Sequence, residues 1–208
     1  RWYLDSKSEY LPEKTVFRHS VVMAQIIWDA IGRVVVAARA AMKWLQVSAK
    51  RLAKADLPLV YVNHLGFPLC QFAPNTDLLR IETQIGGRLT LTIKTELPGV
   101  SGTKAASGAS PNFVHDLDSC HMFMCICAGV AAGITHFAMI HDDFGVHACN
   151  VDTWHRIIRE QFVLLHKGDV LADLKRQLEE MNEVALPDLP PTGSLDLDDV
   201  CNSAYFFG

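Results

Sequence analysis

Trp28, Ile31, Val35, Ala38, Met42, Leu45, Ala49 and Leu52 recur at alternating steps of three and four, and this spacing restricts the fold more than any other feature of the sequence. It puts all eight on one side of an α-helix and predicts a single long helix over roughly 16–55, softened at Gly32. A stripe of that length must be covered, so the chain needs more structure to pack against it. With 208 residues, 50% of them hydrophobic, it has enough for one large domain or two small ones. Asp29, Arg33, Arg39 and Lys43 interrupt the apolar stretch, which argues against a membrane span, and no signal peptide is visible.

The net charge of -4 gives no general affinity for nucleic acid, but the charge is unevenly spread. Arg33, Arg39, Lys43, Lys50, Arg51 and Lys54 follow one another with no acid between them, whereas the far end carries Glu179, Glu180, Glu183, Asp188, Asp196, Asp198 and Asp199. A basic helix could face phosphates while the acidic end faces solvent or a partner; two solvated faces fit the charges equally well. Cys70, Cys120, Cys125, Cys127, Cys149 and Cys201 lack the C-x2-C spacing of a zinc knuckle and read as reduced core residues of a cytosolic protein. The chain begins at Arg1 rather than Met, which suggests a fragment, a processed chain or part of something longer.

Beyond Pro58, "PLVYVNHLGFPLCQF" predicts two short strands about a turn at Gly66, and "RLTLTIKTE" over 88–96 alternates as a further strand. Small and polar residues in "PGVSGTKAASGAS", 98–110, predict a flexible surface loop. An apolar helix then follows, with Asp116, Asp118 or Ser119 as candidate caps and Gly133 as its end. After a hairpin over 137–149 come an amphipathic helix from near Thr153, with Trp154, Ile157, Ile158, Phe162 and Leu165 on one face, and another helix over about 170–181.

That hairpin, "FAMIHDDFGVHA", carries adjacent carboxylates Asp142 and Asp143 at its tip, after His141. An aspartate in a tight turn can present a short, rigid oxygen ligand to magnesium, although aspartates are also ordinary solvated turn residues. The apolar run Phe137–Ile140 should bury the first strand and leave the tip at a cleft edge. Upstream, "PNFVHDLDSCH" sets Asn112, His115, Asp116, Asp118 and His121 on an apolar background, and the intervening helix could bring the two clusters together. A histidine in such surroundings is often just a hydrogen-bonded core residue.

In order, "IWDAIGRVVVAARAAMKWLQVSAKRLA", "LGFPLCQ", "SGASPNFVHDLDSCHM", "FAMIHDDFGVHA", "REQFVLLH", "DVLADL" and "YFFG" resemble the C-terminal part of the single-subunit DNA-directed RNA polymerases of bacteriophages and mitochondria, from about residue 26 onward. The resemblance implies an α+β fold, with long helices around a small antiparallel sheet as in the fingers and palm of a right-hand polymerase. Residues 1–110 would be the end of the fingers, and 111–208 the palm with its catalytic hairpin and C-terminal foot. It implies template-dependent ribonucleotidyl transfer with two Mg2+ ions, the RNA 3′-hydroxyl attacking the α-phosphate of a nucleoside triphosphate. Asp142 matches the family's second metal aspartate. Asp143 falls where the family varies, often to serine or cysteine, which leaves it a secondary or screening role. His141 matches the residue beside the catalytic acid, and His115 the histidine near the growing base pair and the nucleotide sugar. Phe206, Phe207 and Gly208 match the aromatic C-terminus that folds back toward the active site.

The family's other metal aspartate, and its nucleotide-binding helix with lysine, arginine and tyrosine, find no match here; Lys14 and Arg18 do not reproduce that spacing. The chain alone is therefore expected to be inactive, as a fragment or one subunit of a split polymerase. Its implied partners are DNA template, nascent RNA, nucleoside triphosphates and an N-terminal portion of the polymerase, with no membrane. The implied location is the host cytoplasm or a virion if phage-encoded, ahead of mitochondria. A family A DNA polymerase palm is one alternative, although its acid is usually followed by glutamate where Asp143-Phe144-Gly145 stands here. A non-catalytic assembly subunit that keeps the polymerase fold is the other; an Asp142 buried against a salt bridge, without an open face, would make the catalytic reading fail.

Overall fold

The structure is a computed structural model that describes residues 13–84, 86–87, 89–140 and 142–206, with the side chains of residues 13–15 excepted. His141, Phe207 and Gly208 lie outside the described residues. Helices α1 (Glu13–Val34) and α2 (Val36–Lys54) lead into strands β1 (Leu59–Val62), β2 (Pro68–Gln71), β3 (Pro74–Thr83) and β4 (Leu89–Val100). Helix α3 (Gly102–Ala131), strands β5 (Phe137–Ile140) and β6 (Asp143–Val146), helices α4 (Val151–His166) and α5 (Val170–Asn182), and the short α6 (Asp199–Asn202) complete the order. The fold is α+β, as expected, but the strands form three separate antiparallel ribbons, β1–β2, β3–β4 and β5–β6, in place of one small sheet.

By contact density the chain divides into two units, one of residues 1–43 with 190–192 and the other of the remaining residues. The first unit contains α1 and the break between the two helices. The single long helix expected from the spacing is interrupted at Val35. Val35 N–H still bonds to Ile31 O at 2.8 Å, and Arg39 N–H to Val35 O at 3.1 Å, so the interruption is confined to the turn between them. Three consecutive valines, 34–36, are poor helix formers, and Gly32 lacks the Cβ that would collide with the Arg39 guanidinium folded over it. Most of the apolar residues of α1 are open in this chain: Ile26, Ile27, Trp28, Ile31 and Val34 are all exposed. No single helix among the described residues is long and apolar enough to cross a membrane, although the bent pair Val16–Val34 and Val36–Lys54 together has the length and composition.

In the second unit the stripe is covered as its spacing requires. Trp44, Leu45, Ala49 and Leu52 of α2 join Leu59, Tyr61, Val100, Ala105, Ala109, Phe113, Leu174 and Leu178 in the larger core. Leu52 and Leu178 are fully buried, and each contributes about 1.5–3 kcal/mol by leaving water. Helix α2 stops at Asp56, which takes the left-handed conformation at φ 60, and Leu57 N–H closes back on Leu52 O at 3.0 Å. The Asp56 carboxylate then accepts the Val100 N–H at 2.7 Å and ties the end of β4 to the end of α2.

Residues 98–110, expected as a loop, instead finish β4 and start α3, which continues through Pro111 to Ala131. The candidate caps Asp116, Asp118 and Ser119 are therefore mid-helix, and Ser101 holds the N-cap position. Packing explains the difference: Ala105, Ala106 and Ala109 are buried, and a Cβ on Gly102 would lie 3.7 Å from the Ala53 Cβ, so the small residues permit close approach between helices. That burial outweighs the weak helix propensity of glycine and serine. At the other end Gly133 adopts φ 87, and Ile134 N–H returns to Gly129 O at 2.9 Å, closing the helix where the glycine suggested.

The β1–β2 pair turns about Gly66, at φ 86, as expected, and its register sets Leu59 opposite Gln71 and Val62 opposite Pro68. Strand β3, which the sequence reading did not identify, pairs with β4 from Thr83↔Leu89 to Pro74↔Val100. Of the six cysteines only Cys120 and Cys125 are buried; the other four are exposed, which corrects their reading as core residues.

Candidate active site

In the acidic hairpin Ile140 pairs with Asp143, Met139 with Phe144, Ala138 with Gly145 and Phe137 with Val146, so Asp142 lies at the tip, between the two strands. Alternation sets the orientation of β5. Phe137 and Met139 are partly buried, whereas Ala138 and Ile140 face outward, with Ile140 65% exposed. The first strand is thus half-buried, contrary to the expectation that the whole run would be covered.

A second core supports the inward face. Cys125, Ile134, Trp154, Ile157 and Ile158 are buried there, with Phe137, Met139, Phe144 and Val146 packed against them. The Trp154 indole lies 5.4 Å from the Phe137 ring, and its Nε1–H donates to the Phe144 carbonyl at 2.8 Å. Gly129 of α3 makes room for both: a Cβ there would come within 2.9 Å of Phe137 and of Trp154. Gly145 plays the matching role inside the ribbon, where a Cβ would sit 3.0 Å from the Ala138 carbonyl. The turn that carries Asp142 is therefore held from beneath by one hydrogen bond and a close aromatic contact.

Asp142 and Asp143 are both exposed, and neither carboxylate makes a hydrogen bond or ion pair with any described side chain. They border a cleft of about 520 Å3, also lined by Phe144, Trp154, His155 and Arg159. Asp142 therefore has the open face that the catalytic reading requires. Uncommitted carboxylate oxygens on such a hairpin suit a hard cation such as Mg2+, and the remaining ligands would come from elsewhere. Among the described residues no three His, Cys, Asp or Glu side chains are grouped closely enough to complete such a site.

The upstream cluster reaches the hairpin only at its far end. The His121 ring lies 5.4 Å from Phe144 and 5.6 Å from Phe162, and its Nε2–H donates to the Ile158 carbonyl at 2.8 Å. Burial holds its pKa below the usual histidine value, so it is the satisfied core histidine of the plainer reading. His115 is exposed and does not line the cleft. It stands about 9 Å before His121 along the axis of α3, at about 1.5 Å per residue.

Sequence reasoning missed Arg159, one of the most deeply buried charged groups of the described chain, at 2% exposure. Its guanidinium donates to His155 O at 3.2 Å and to Ser203 O at 3.1 Å, and lies 5.6 Å from the Phe206 ring. Phe206 meets Phe162 edge-on at 4.7 Å, so the described end of the chain folds back beside the cleft. The "REQFVLLH" segment carried this arginine in plain view, but an isolated arginine on an amphipathic helix reads as surface.

Residues 3–184 match the family model of the DNA-dependent RNA polymerases. The chain belongs to this family, in its single-subunit phage and organellar branch. It is similar to DNA-directed RNA polymerase 3, chloroplastic, of Nicotiana sylvestris, with 35% identity over 207 residues, 98% of this chain and 21% of that protein. DNA-directed RNA polymerase 2, chloroplastic/mitochondrial, of Arabidopsis thaliana is likewise 35% identical, over 98% of this chain and 20% of its own length. DNA-directed RNA polymerase 2A of Nicotiana tabacum is 33% identical over 205 residues, 60% of its length. The chain thus spans about a fifth of the length of the first of these polymerases.

Proposed function

We propose that this chain supplies the last part of the fingers (to about residue 110) and the C-terminal palm (111–208) of a DNA-directed RNA polymerase, joined by the continuous helix α3. The observation that carries this is the position of Asp142: on the turn of a hairpin pinned from below, open to a cleft, and uncommitted to any described partner. In the reaction the 3′-hydroxyl oxygen of the RNA bonds to the α-phosphorus of a nucleoside triphosphate, the bond to pyrophosphate breaks, and the hydroxyl proton is released. Mg2+, when bound, supplies positive charge to the attacking and leaving oxygens.

Asp142 would hold the two Mg2+ ions together with the other metal aspartate, carried by the N-terminal portion of the polymerase. Asp143, the first residue of β6, adds negative charge beside it without being an obligatory ligand. His115, open on α3, faces the growing base pair and the sugar of the nucleotide. Phe206, packed against Phe162 and beside the Arg159 guanidinium, anchors the C-terminal foot. The partners are DNA template, nascent RNA and nucleoside triphosphates. Two of the relatives above are named as chloroplastic or chloroplastic/mitochondrial, which favours an organelle over the phage-infected cytoplasm.

Single-nucleotide extension of an RNA primer on a DNA template, by the polymerase containing this chain, tests the assignment. Ribonucleotides should be added in strong preference to deoxyribonucleotides. A preference for deoxyribonucleotides would replace the assignment with a DNA polymerase palm.

A further inference from the structure

A second constellation lies on α3 directly beside His115. Asp116 accepts two hydrogen bonds from the β1–β2 hairpin: Asn63 Nδ2 donates to Oδ1 at 2.8 Å, and the Tyr61 hydroxyl to Oδ2 at 3.2 Å. Asn63 is itself fixed, because its side-chain oxygen accepts Leu65 N–H at 3.1 Å and Phe67 N–H at 2.9 Å and so builds the turn that presents its amide. Tyr61 is buried, and its ring meets Phe113 edge-on at 5.9 Å. Gln177 of α5 closes the hairpin from the other side, donating to Val62 O at 3.0 Å and accepting Val62 N–H at 2.8 Å.

Phe113 and Asp116 stand three residues apart, so they share one face of α3 and bind it to the hairpin. His115 is rotated away by about 100°, on the face left open. Apolar packing through Ala105, Ala109 and Phe113 sets which face of α3 is covered but, being non-directional, tolerates small rotations of the helix about its axis. Two directional bonds to one carboxylate do not. Bonds to an ionised acceptor are also about twice as strong as neutral ones.

We propose that Asp116 is a positioning residue for sugar recognition: clamped by Tyr61 and Asn63, it fixes the rotation of α3 so that His115 meets the ribose edge of the nucleotide. The proposal rests on the reading of His115 given above. Asp116 does not touch the nucleotide; it acts through its neighbour.

The test uses the complete polymerase and reads the ratio of kcat/KM for a ribonucleotide to that for its 2′-deoxy counterpart. General loss of folding lowers both numbers and leaves the ratio unchanged. His115→Ala, Asp116→Ala and the milder Tyr61→Phe should each lower the ratio, Asp116→Ala by about tenfold, the worth of one charge-assisted hydrogen bond. In the double variant, Asp116→Ala should add nothing to the effect of His115→Ala, because it acts through the same group. If His115→Ala lowers the ratio while Asp116→Ala and Tyr61→Phe leave it unchanged, the clamp is refuted and the reading of His115 stands. If His115→Ala itself has no effect, that reading fails and the clamp falls with it. Additive losses in the double variant would likewise overturn the proposal.

Discussion

Replacing Trp154 with phenylalanine separates what holds the fold together from what positions the turn that carries Asp142. Trp154 is 3% exposed, and its Nε1–H is the donor to the Phe144 carbonyl at 2.8 Å. Without that donor the partly buried carbonyl loses its partner, at about 1–3 kcal/mol. Loss of the second ring adds on the order of 1 kcal/mol for the space left against Phe137 and Gly129. A total of about 2–4 kcal/mol is a serious loss, but it falls within the roughly 5–15 kcal/mol that holds a domain folded. Trp44 supplies a matched control in the other core, 4% exposed, with its Nε1–H donating to Pro187 O at 3.0 Å. Urea unfolding of the two polymerase variants should therefore show comparable losses. Single-turnover nucleotide addition should not: Trp154→Phe frees the strand that begins at Asp143, and a misplaced carboxylate costs roughly ten- to a hundredfold in rate. Equal slowing by both variants, or no slowing by Trp154→Phe, would show that the hairpin's support is merely structural.

Burial depresses the pKa of His121, so the unfolded chain takes up its proton first, near pH ~6.5. Its contribution to stability is fully present above that pH and is lost as the pH falls toward the lower folded value. Between about pH 7 and about pH 5 the melting temperature should consequently drop less in His121→Gln than in the parent protein; an identical drop would refute the linkage. Arg159→Met should release Ser203 and Phe206, since it removes a bond to the tail and the cation beside the ring. Chymotrypsin cleavage at Tyr205 should accelerate about tenfold, and an unchanged rate would show that the aromatic contact with Phe162 suffices to hold the tail.

What could be read from the sequence was whatever short-range geometry decides. The pairing of β5 with β6, with Asp142 in the turn, followed from an apolar run, two acids and a second run. The covered face of α4 followed from Trp154, Ile157 and Ile158 at helical spacing, and the ends at Gly66 and Gly133 followed from glycine's access to positive φ. Long-range packing decided the rest. Residues 102–110 are helical because their small side chains let α3 approach α2, which composition alone reads as a loop. The stripe from Trp28 to Leu52 was visible, but periodicity does not say which part of it finds a partner: Leu45, Ala49 and Leu52 are buried, whereas Trp28 and Ile31 are exposed. Nor did it show the interruption at Val35, where three valines and the Arg39 side chain over Gly32 outweigh a continuous apolar face. Arg159 and the Asp116 clamp depend on partners 44 and 53–55 residues away in sequence, beyond the reach of any local motif.

Asp142, and not the adjacent Asp143, is the residue proposed to hold the catalytic ion. Steady-state RNA synthesis by the polymerase carrying Asp142→Asn or Asp143→Asn, with DNA binding measured in parallel, tests it most directly. Asp142→Asn should abolish synthesis and leave DNA binding intact, while Asp143→Asn should retain most of the rate. Substantial synthesis by the Asp142→Asn polymerase, or equal loss in both variants, would contradict it.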